Sequence, residues 1–302
     1  EIKKDHTYAF ITNQEVDSLD IIDLSSLEKV AQIQVGSRPA GIDTDKENQI
    51  VYVSNPESKN ISRIDLRKKT KTNFLAGNSP LAIALSRDHQ VIYVSDWYEN
   101  SINVIHLDTF SIVSKIEVGK SPAGLITHPD GSHLIVANKD SDSVSIVDLN
   151  TKKEIRKVAV QKAPFGVSID SRGQYVFVTN VQSHSISVID FKTLEVIANI
   201  KVGAWPYQIE LDEEKNLAYV TNQRGNSISI INLNDLVVVK NLEDICEYPE
   251  GINISKKENV IVIACWFDNQ VVVVDRDQHH IIKRIEVSGG PRAGFGRFIL
   301  SN

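Results

Sequence analysis

Apolar and polar positions alternate along this chain in short runs, and the runs come in groups of four. The stretch from Pro164 to Gly203 shows one group in full. Pro164 to Ile169 reads as a first strand, and Ser171-Arg172-Gly173 turns it, since glycine tolerates the positive φ of a tight turn. Tyr175 to Asn180 is β-branched and aromatic and reads as a second strand, followed by a polar loop from Gln182 to Ser185. Ser185 to Asp190 alternates polar with apolar residues before becoming apolar on both faces. Leu194 to Val202 supplies an outer fourth strand, ended by Gly203. No window of similar length carries helical periodicity, so helices are expected only as short turns.

The group recurs along the whole chain. Seven of the nine prolines, Pro39, Pro80, Pro122, Pro164, Pro206, Pro249 and Pro291, fall at intervals of 41, 42, 42, 42, 43 and 42 residues. A second series, Asn13, Asn55, Asp96, Asn138, Asn180, Asn222 and Cys265, runs in phase with them. So does a third, Asp23, Asp65, His106, Asp148, Asp190, Asn232 and Asp275. This third series is expected to be structural, because short polar side chains at a strand end bond the backbone of the following turn.

A unit of this size with two buried faces cannot stand alone and must stack on copies of itself. Radial stacking protects the sheet edges, whereas an open solenoid would need distinct capping repeats. The termini favour closure. Tyr8 to Asn13 is a second strand lacking its first, and Gly294 to Ile299 is a first strand lacking its second. The expectation is an all-β, seven-bladed β-propeller of four-stranded antiparallel blades, forming a single domain over 1–302. A latch of N- and C-terminal strands closes it in one blade.

On these residues the chain resembles the YVTN-type β-propeller repeat proteins. Tyr219-Val220-Thr221-Asn222 carries the name motif intact, and Phe177-Val178-Thr179-Asn180 and Tyr52-Val53-Ser54-Asn55 nearly so. The resemblance implies the fold and a secreted, periplasmic or surface-layer setting, but no one chemistry, since related propellers host unrelated functions. Blade seven departs from the pattern, with Ala264-Cys265-Trp266 in place of Val-Thr-Asn and Ser288 in place of a glycine. The chain begins at Glu1 and contains no Met, as a chain trimmed of a signal peptide would.

Loops entering each first strand and loops joining each second strand to its third share one face of the disk, here called the top. All three tryptophans map there: Trp97 and Trp266 after second strands, and Trp205 just before Pro206. Tyr98, Phe165, Tyr207, Tyr248 and Phe267 join them, with Arg38, Arg224, Arg292, Glu250 and Asp268 adding charge. Rigid aromatic side chains with Arg and Glu partners are what a recognition patch contains. The competing reading is that many of these rings merely fill gaps between blades at the top rim.

Cys246 and Cys265 both reach the top, one strand apart, so a disulfide is plausible; two unpaired thiols, or a metal-binding or reactive pair, are the alternatives. A disulfide would imply an oxidising compartment. Of eight histidines only His184 maps to the top, and the pair His279-His280 lies in an outer turn without a second spaced pair.

Composition changes this picture little. A net charge of −6 disfavours nucleic acid and anionic membrane surfaces, and no apolar run approaches the roughly 20 residues of a membrane helix. No nucleophile elbow, phosphate-cradling loop or metalloprotease pattern is present, so no catalytic residue is named. The residues after the repeat prolines, expected to ring the channel mouth, are Ala40, Leu81, Ala123, Phe165, Tyr207, Glu250 and Arg292. Glu250 and Arg292, on neighbouring blades, are placed to pair. The leading expectation is a periplasmic or secreted binding protein without cofactor or metal, its aromatic top face, centred on blades six, seven and one, meeting a protein or small ligand. The alternative is a cofactor- or metal-binding enzyme or redox subunit with its site at the top of the channel, near Cys246, Cys265, Glu250, Arg292 and Trp266.

Overall fold

The chain was analysed as a computed structural model that describes residues 3 and 5–301. Seven four-stranded antiparallel sheets stand around one axis, and each runs outward in chain order from an inner strand to an exposed outer one. In blade five the strands are Pro164–Ile169, Tyr175–Asn180, Ser185–Asp190 and Glu195–Lys201. In blade one the inner strand is Ile299–Ser301, at the C-terminal end, joined to Thr7–Asn13 from the other terminus. The latch is therefore present. The two short helical turns, Lys139–Ser141 and Val181–Ser183, are single 3-10 turns.

Middle strands are buried on both faces because each blade packs between two others, while outer strands bury only a few residues. Val271 to Val274 are all fully buried, whereas Glu195–Lys201 buries only Ile200. Every residue of the third polar series accepts a turn backbone N–H. Asp148, for example, accepts from Asn150 at 2.8 Å, and His106 Nδ1 does the same for Asp108 at 3.2 Å. Six outer strands carry a β-bulge against their neighbours, but Thr70–Leu75 of blade two pairs without one. That missing residue accounts for the single 41-residue proline interval.

Hydroxyls near the ends of second strands tie blade to blade. Thr221 Oγ1 donates to the Glu250 carbonyl at 2.8 Å, Thr179 to that of Tyr207 at 3.0 Å, and Ser54 to that of Leu81 at 2.5 Å. Next to them, each repeat Asn donates to serines of the third strand: Asn180 Nδ2 reaches Ser185 at 3.2 Å and Ser187 at 2.9 Å. In blades two, four and six a glycine three residues before the repeat proline packs on this Asn; a Cβ on Gly203 would lie 2.6 Å from Asn222. In blade seven Cys246 takes the glycine place and Cys265 the Asn place, and the two form a disulfide with Cα atoms 5.9 Å apart. A covalent bond thus replaces the polar knot of the other blades.

Inner strands carry a bulge near the top. In blade six Pro206 faces Asn222 and Ile209 faces Val220, so Tyr207 and Gln208 together oppose Thr221. The extra residue restarts the alternation, and residues one and four places after the proline both turn toward the axis. The latch bulges much further. Pro291 faces Asn13 and Ile299 faces Ala9, so residues 292–298 lie opposite only 10–12. The expected terminal strand from Gly294 to Ile299 is accordingly corrected: residues 294–298 leave the sheet as a loop in the channel, and the strand proper is Ile299–Ser301. The loop is held where Ile42 N–H donates to the Gly294 carbonyl at 3.2 Å and Phe298 N–H to Asn253 Oδ1 at 2.7 Å. Left-handed φ values of 45° at Ala293 and 63° at Phe295 take it out of strand geometry.

Candidate functional site

The top face is built by a repeated kink. The residue before the repeat proline is left-handed in six blades: Arg38, Ser121, Ala163, Trp205, Tyr248 and Gly290, with φ between 53° and 62°. Left-handed backbone is costly for a bulky side chain, so something must hold it. The holder is an acceptor on the preceding blade. Asp17 takes the N–H of Arg38 at 2.8 Å, Asp142 that of Ala163 at 2.8 Å, and Asn226 that of Tyr248 at 3.1 Å. His184 Nδ1 fills the same role for Trp205 at 3.1 Å, which explains why a histidine sits on the top. In blade two the equivalent residue is Lys59, which cannot accept, and Ser79, the residue it would hold, is not left-handed.

These kinks display side chains in three groups. Around blades one to three, Arg38, Pro56, Glu57, Asn78, Trp97 and Tyr98 line a cleft of about 480 Å³. Tyr98 is 76% exposed there, Arg38 pairs with Glu57 at 3.5 Å, and Trp97 lies edge-on to Phe165 with centroids 6.3 Å apart. On blade seven Trp266, Phe267 and Tyr248 pack together, with Trp266 and Phe267 at 4.6 Å and Phe267 57% exposed. On blade six the exposed Arg224 lies over Trp205, its Cζ 3.6 Å from the ring centre, a cation–π contact of about 0.5–1 kcal/mol at such a site. Asp268 accepts the Glu247 N–H at 2.9 Å and shapes the loop that carries Cys246.

The residues after the prolines do not form an open mouth. Phe165 and Tyr207 are buried, at 4.5 Å from each other, and Phe295 from the latch loop wedges against them at 5.0 and 6.0 Å. Glu250 and Arg292 pair as expected, at 2.9 Å, and Arg292 also donates to the Tyr207 hydroxyl. Gln223 Nε2 donates to the other Glu250 oxygen at 2.7 Å. Burial pushes the Glu250 carboxyl above the ordinary range while Arg292 and Gln223 pull it back. Phe165, Tyr207, Glu250 and Arg292 thus plug the channel, with Phe165 and the half-buried Arg292 also lining the top cleft, and Arg38, Trp97, Tyr98, Trp205, Arg224, Tyr248, Trp266 and Phe267 reach the surface wholly or in part.

Beneath the plug the channel holds a cavity of about 220 Å³. Its lining includes Asp43, Gln208, Glu210, Asn253 and Arg297, none of which was singled out above. Reading four places past each proline would have found Asp43, Glu210 and Asn253, had the bulge been anticipated. Arg297 became visible only with the loop excursion of the latch.

On the opposite face His128, Asp130 and His133 come together with donor atoms within 4.8 Å. Their bonds are those of a turn. His128 Nε2 donates to the Gly173 carbonyl at 2.9 Å, so Nδ1 is the acceptor of the Asp130 N–H at 3.1 Å, and the ring stacks on Phe191 at 4.1 Å. Both ring nitrogens are therefore spent. On blades six and seven, Arg276 forks onto buried Asp212 at 2.5 and 2.6 Å and reaches Glu214 at 2.7 Å, a structural ion network.

With this geometry established, comparison with known proteins agrees on architecture. A family model described as a seven-bladed lactonase β-propeller matches residues 67–164, and a YNCE-like β-propeller model matches residues 125–217. No curated protein matches the sequence. Among solved structures, a functionally unknown protein from Desulfotomaculum acetoxidans superposes with a TM-score of 0.81 at 13% identity, over 96% of this chain and 99% of that one. Hydrazine synthase of Kuenenia stuttgartiensis gives 0.74 at 18% identity, over 83% and 87%. The dihydro-heme d1 dehydrogenase NirN in complex with DHE gives 0.72 at 12%, over 96% and 75%. At these identities the likeness is one of fold.

Proposed function

We propose that this chain is a binding propeller of the YVTN-repeat type, working as one domain outside the cytoplasm and presenting its top face to a protein partner. The observation that carries this reading is the exposure of Tyr98 and Phe267 at 76% and 57% on the face that also holds every tryptophan. Exposed large aromatics cost solubility, and the two most exposed, Tyr98 and Phe267, share one rim as a partner's hot spot would, with Tyr175 less exposed at the opposite end of its strand. The plugged mouth favours a shallow contact over an engulfed cofactor. Arg292 and Glu250 are occupied by each other, and the two sulfurs are bonded, so the groups invoked for a redox site are already engaged. The disulfide supports an oxidising compartment. No helix among the described residues is long and apolar enough to cross a membrane.

The test is co-purification from the source organism with wild-type protein and a Tyr98→Ser/Phe267→Ser variant, both shown to melt alike. Loss of a stoichiometric partner from the variant alone supports the reading. A partner retained equally by both, or a bound chromophore in its place, overturns it.

A further inference from the structure

Three polar side chains, Gln208, Glu210 and Arg297, meet in the channel cavity, and none is used by the top face. Two residues past the repeat proline, the blades carry Gly41, Ala82, Gly124, Gly166 and Gly251, because inner strands approach too closely for a side chain. A Cβ on Gly166 would lie 2.4 Å from the Tyr207 carbonyl oxygen. Blade six has Gln208 there instead. Its side chain turns into the cavity, the residue is 8% exposed, and Nε2 finds no acceptor. A buried unpaired amide donor costs about 1–3 kcal/mol, so this placement is not a packing solution.

The second polar residue is Glu210, two residues on along the same strand, and the third is Arg297 on the latch loop. The Arg297 side chain is 70% exposed although it lines the cavity, so the cavity opens to solvent at Arg297, whereas Gln208 Nε2 has no exposed surface; only the Arg297 Nε leans on Asp43, at 3.4 Å. Asp43 itself is committed to the backbone N–H groups of Thr44 at 2.9 Å and Leu85 at 3.0 Å. The facing wall is apolar, formed by Ala84, Ile126, Val167 and Phe295. The cavity thus presents hydrogen-bond donors on one side and hydrocarbon on the other.

We propose that this cavity binds a small organic carboxylate with an apolar body, the carboxylate meeting Arg297 and Gln208 Nε2 and the body lying against Ile126 and Phe295. An acceptor-rich anion satisfies the orphan amide and the half-free guanidinium together, which neither a cation nor a hydrocarbon does. At about 220 Å³ the space falls below the roughly 300–1,000 Å³ of drug-sized pockets, so the acid is small. Glu210 completes the site. Desolvation raises its pKa to about 8, so at neutral pH it is a neutral donor and does not repel the anion. The charged groups acting on it are Arg297 from the latch, Asp212 on its own strand and Lys256 beyond the neighbouring inner strand, with Asp43 across the cavity.

Isothermal titration of the full-length protein with benzoate, benzamide and benzylamine tests this. Benzoate is expected to bind at pH 6.5 and to weaken as the pH rises through about 8. Arg297→Gln is expected to weaken it about tenfold or more, as loss of a charged hydrogen-bond partner does. Gln208→Ala copies Ala82 of blade three, so it keeps the fold, and it should weaken benzoate several-fold while leaving the melting temperature unchanged or raised. Absence of benzoate binding, tighter binding of benzylamine, or benzoate affinity indifferent to both substitutions overturns the proposal. The top-face variant Tyr98→Ser/Phe267→Ser should bind benzoate normally, which keeps the two sites separable.

Discussion

Replacing the disulfide of blade seven by the pair used elsewhere should make the protein less stable than simply removing it. Cys246 and Cys265 are 19 residues apart, and closing a loop of that length is worth about 3 kcal/mol through the unfolded chain. Cys246→Ala/Cys265→Ala should lose about that much. With an unfolding entropy of about 2.1 cal/mol/K per residue, a cooperative chain of this length melts about 5 °C lower. Cys246→Gly/Cys265→Asn restores the Gly and Asn of blades two, four and six but not their partners. Where Asn222 donates to Ser227 at 3.2 Å and Ser229 at 2.9 Å, an Asn at 265 would face Gln270 and Val272. Its amide would be buried with one poor partner or none, adding about 1–3 kcal/mol of loss. Differential scanning calorimetry under non-reducing conditions measures both. A Gly/Asn variant as stable as the Ala/Ala variant, or an Ala/Ala variant that melts with wild type, would refute the view that the disulfide replaces a complete polar knot.

Other expectations concern the plug, the latch and the channel acid. Phe295→Ala should cost about 3–5 kcal/mol in guanidinium denaturation, as a buried phenylalanine among Phe165 and Tyr207 does, even though the residue lies in a loop. Deleting residues 291–302 should free the inner edge of Thr7–Asn13 and convert the protein to soluble oligomers or aggregate on size exclusion; an unaltered monomer peak would contradict the latch. Glu210 has a folded pKa near 8, raised above its ordinary value near 4.5, so its contribution is full below the ordinary value and is lost as pH climbs through about 8. Wild type should therefore lose stability between about pH 5 and pH 9 relative to Glu210→Gln, and parallel stability curves for the two would reject that assignment.

Repeat spacing was enough to place strands, blade order, closure and the proximity of the two cysteines, because alternation and turn chemistry are local. The pairing of Glu250 with Arg292 was also readable, since adjacent blades put equivalent positions side by side. What escaped was anything that depended on a bulge. Strict alternation from the proline hid Asp43, Gln208 and Glu210, and it turned residues 294–298 into a strand when seven residues had to fit opposite three. Phe295 and Arg297 entered the channel through that excess. Of the acceptors Asp17, Asn100, Asp142, His184, Asn226 and Asn269 only His184 was placed on the top from the sequence, because their role lies in the left-handed kinks that they hold.

The top-face reading is tested most directly by hydrogen–deuterium exchange of the purified protein with and without its co-purified partner. Protection is predicted in peptides spanning Trp97 and Tyr98 and those spanning Trp266 and Phe267, with outer strands and the opposite face unchanged. Protection confined to the opposite face or to the blade edges, with these peptides exchanging as freely as in the unbound protein, would contradict it.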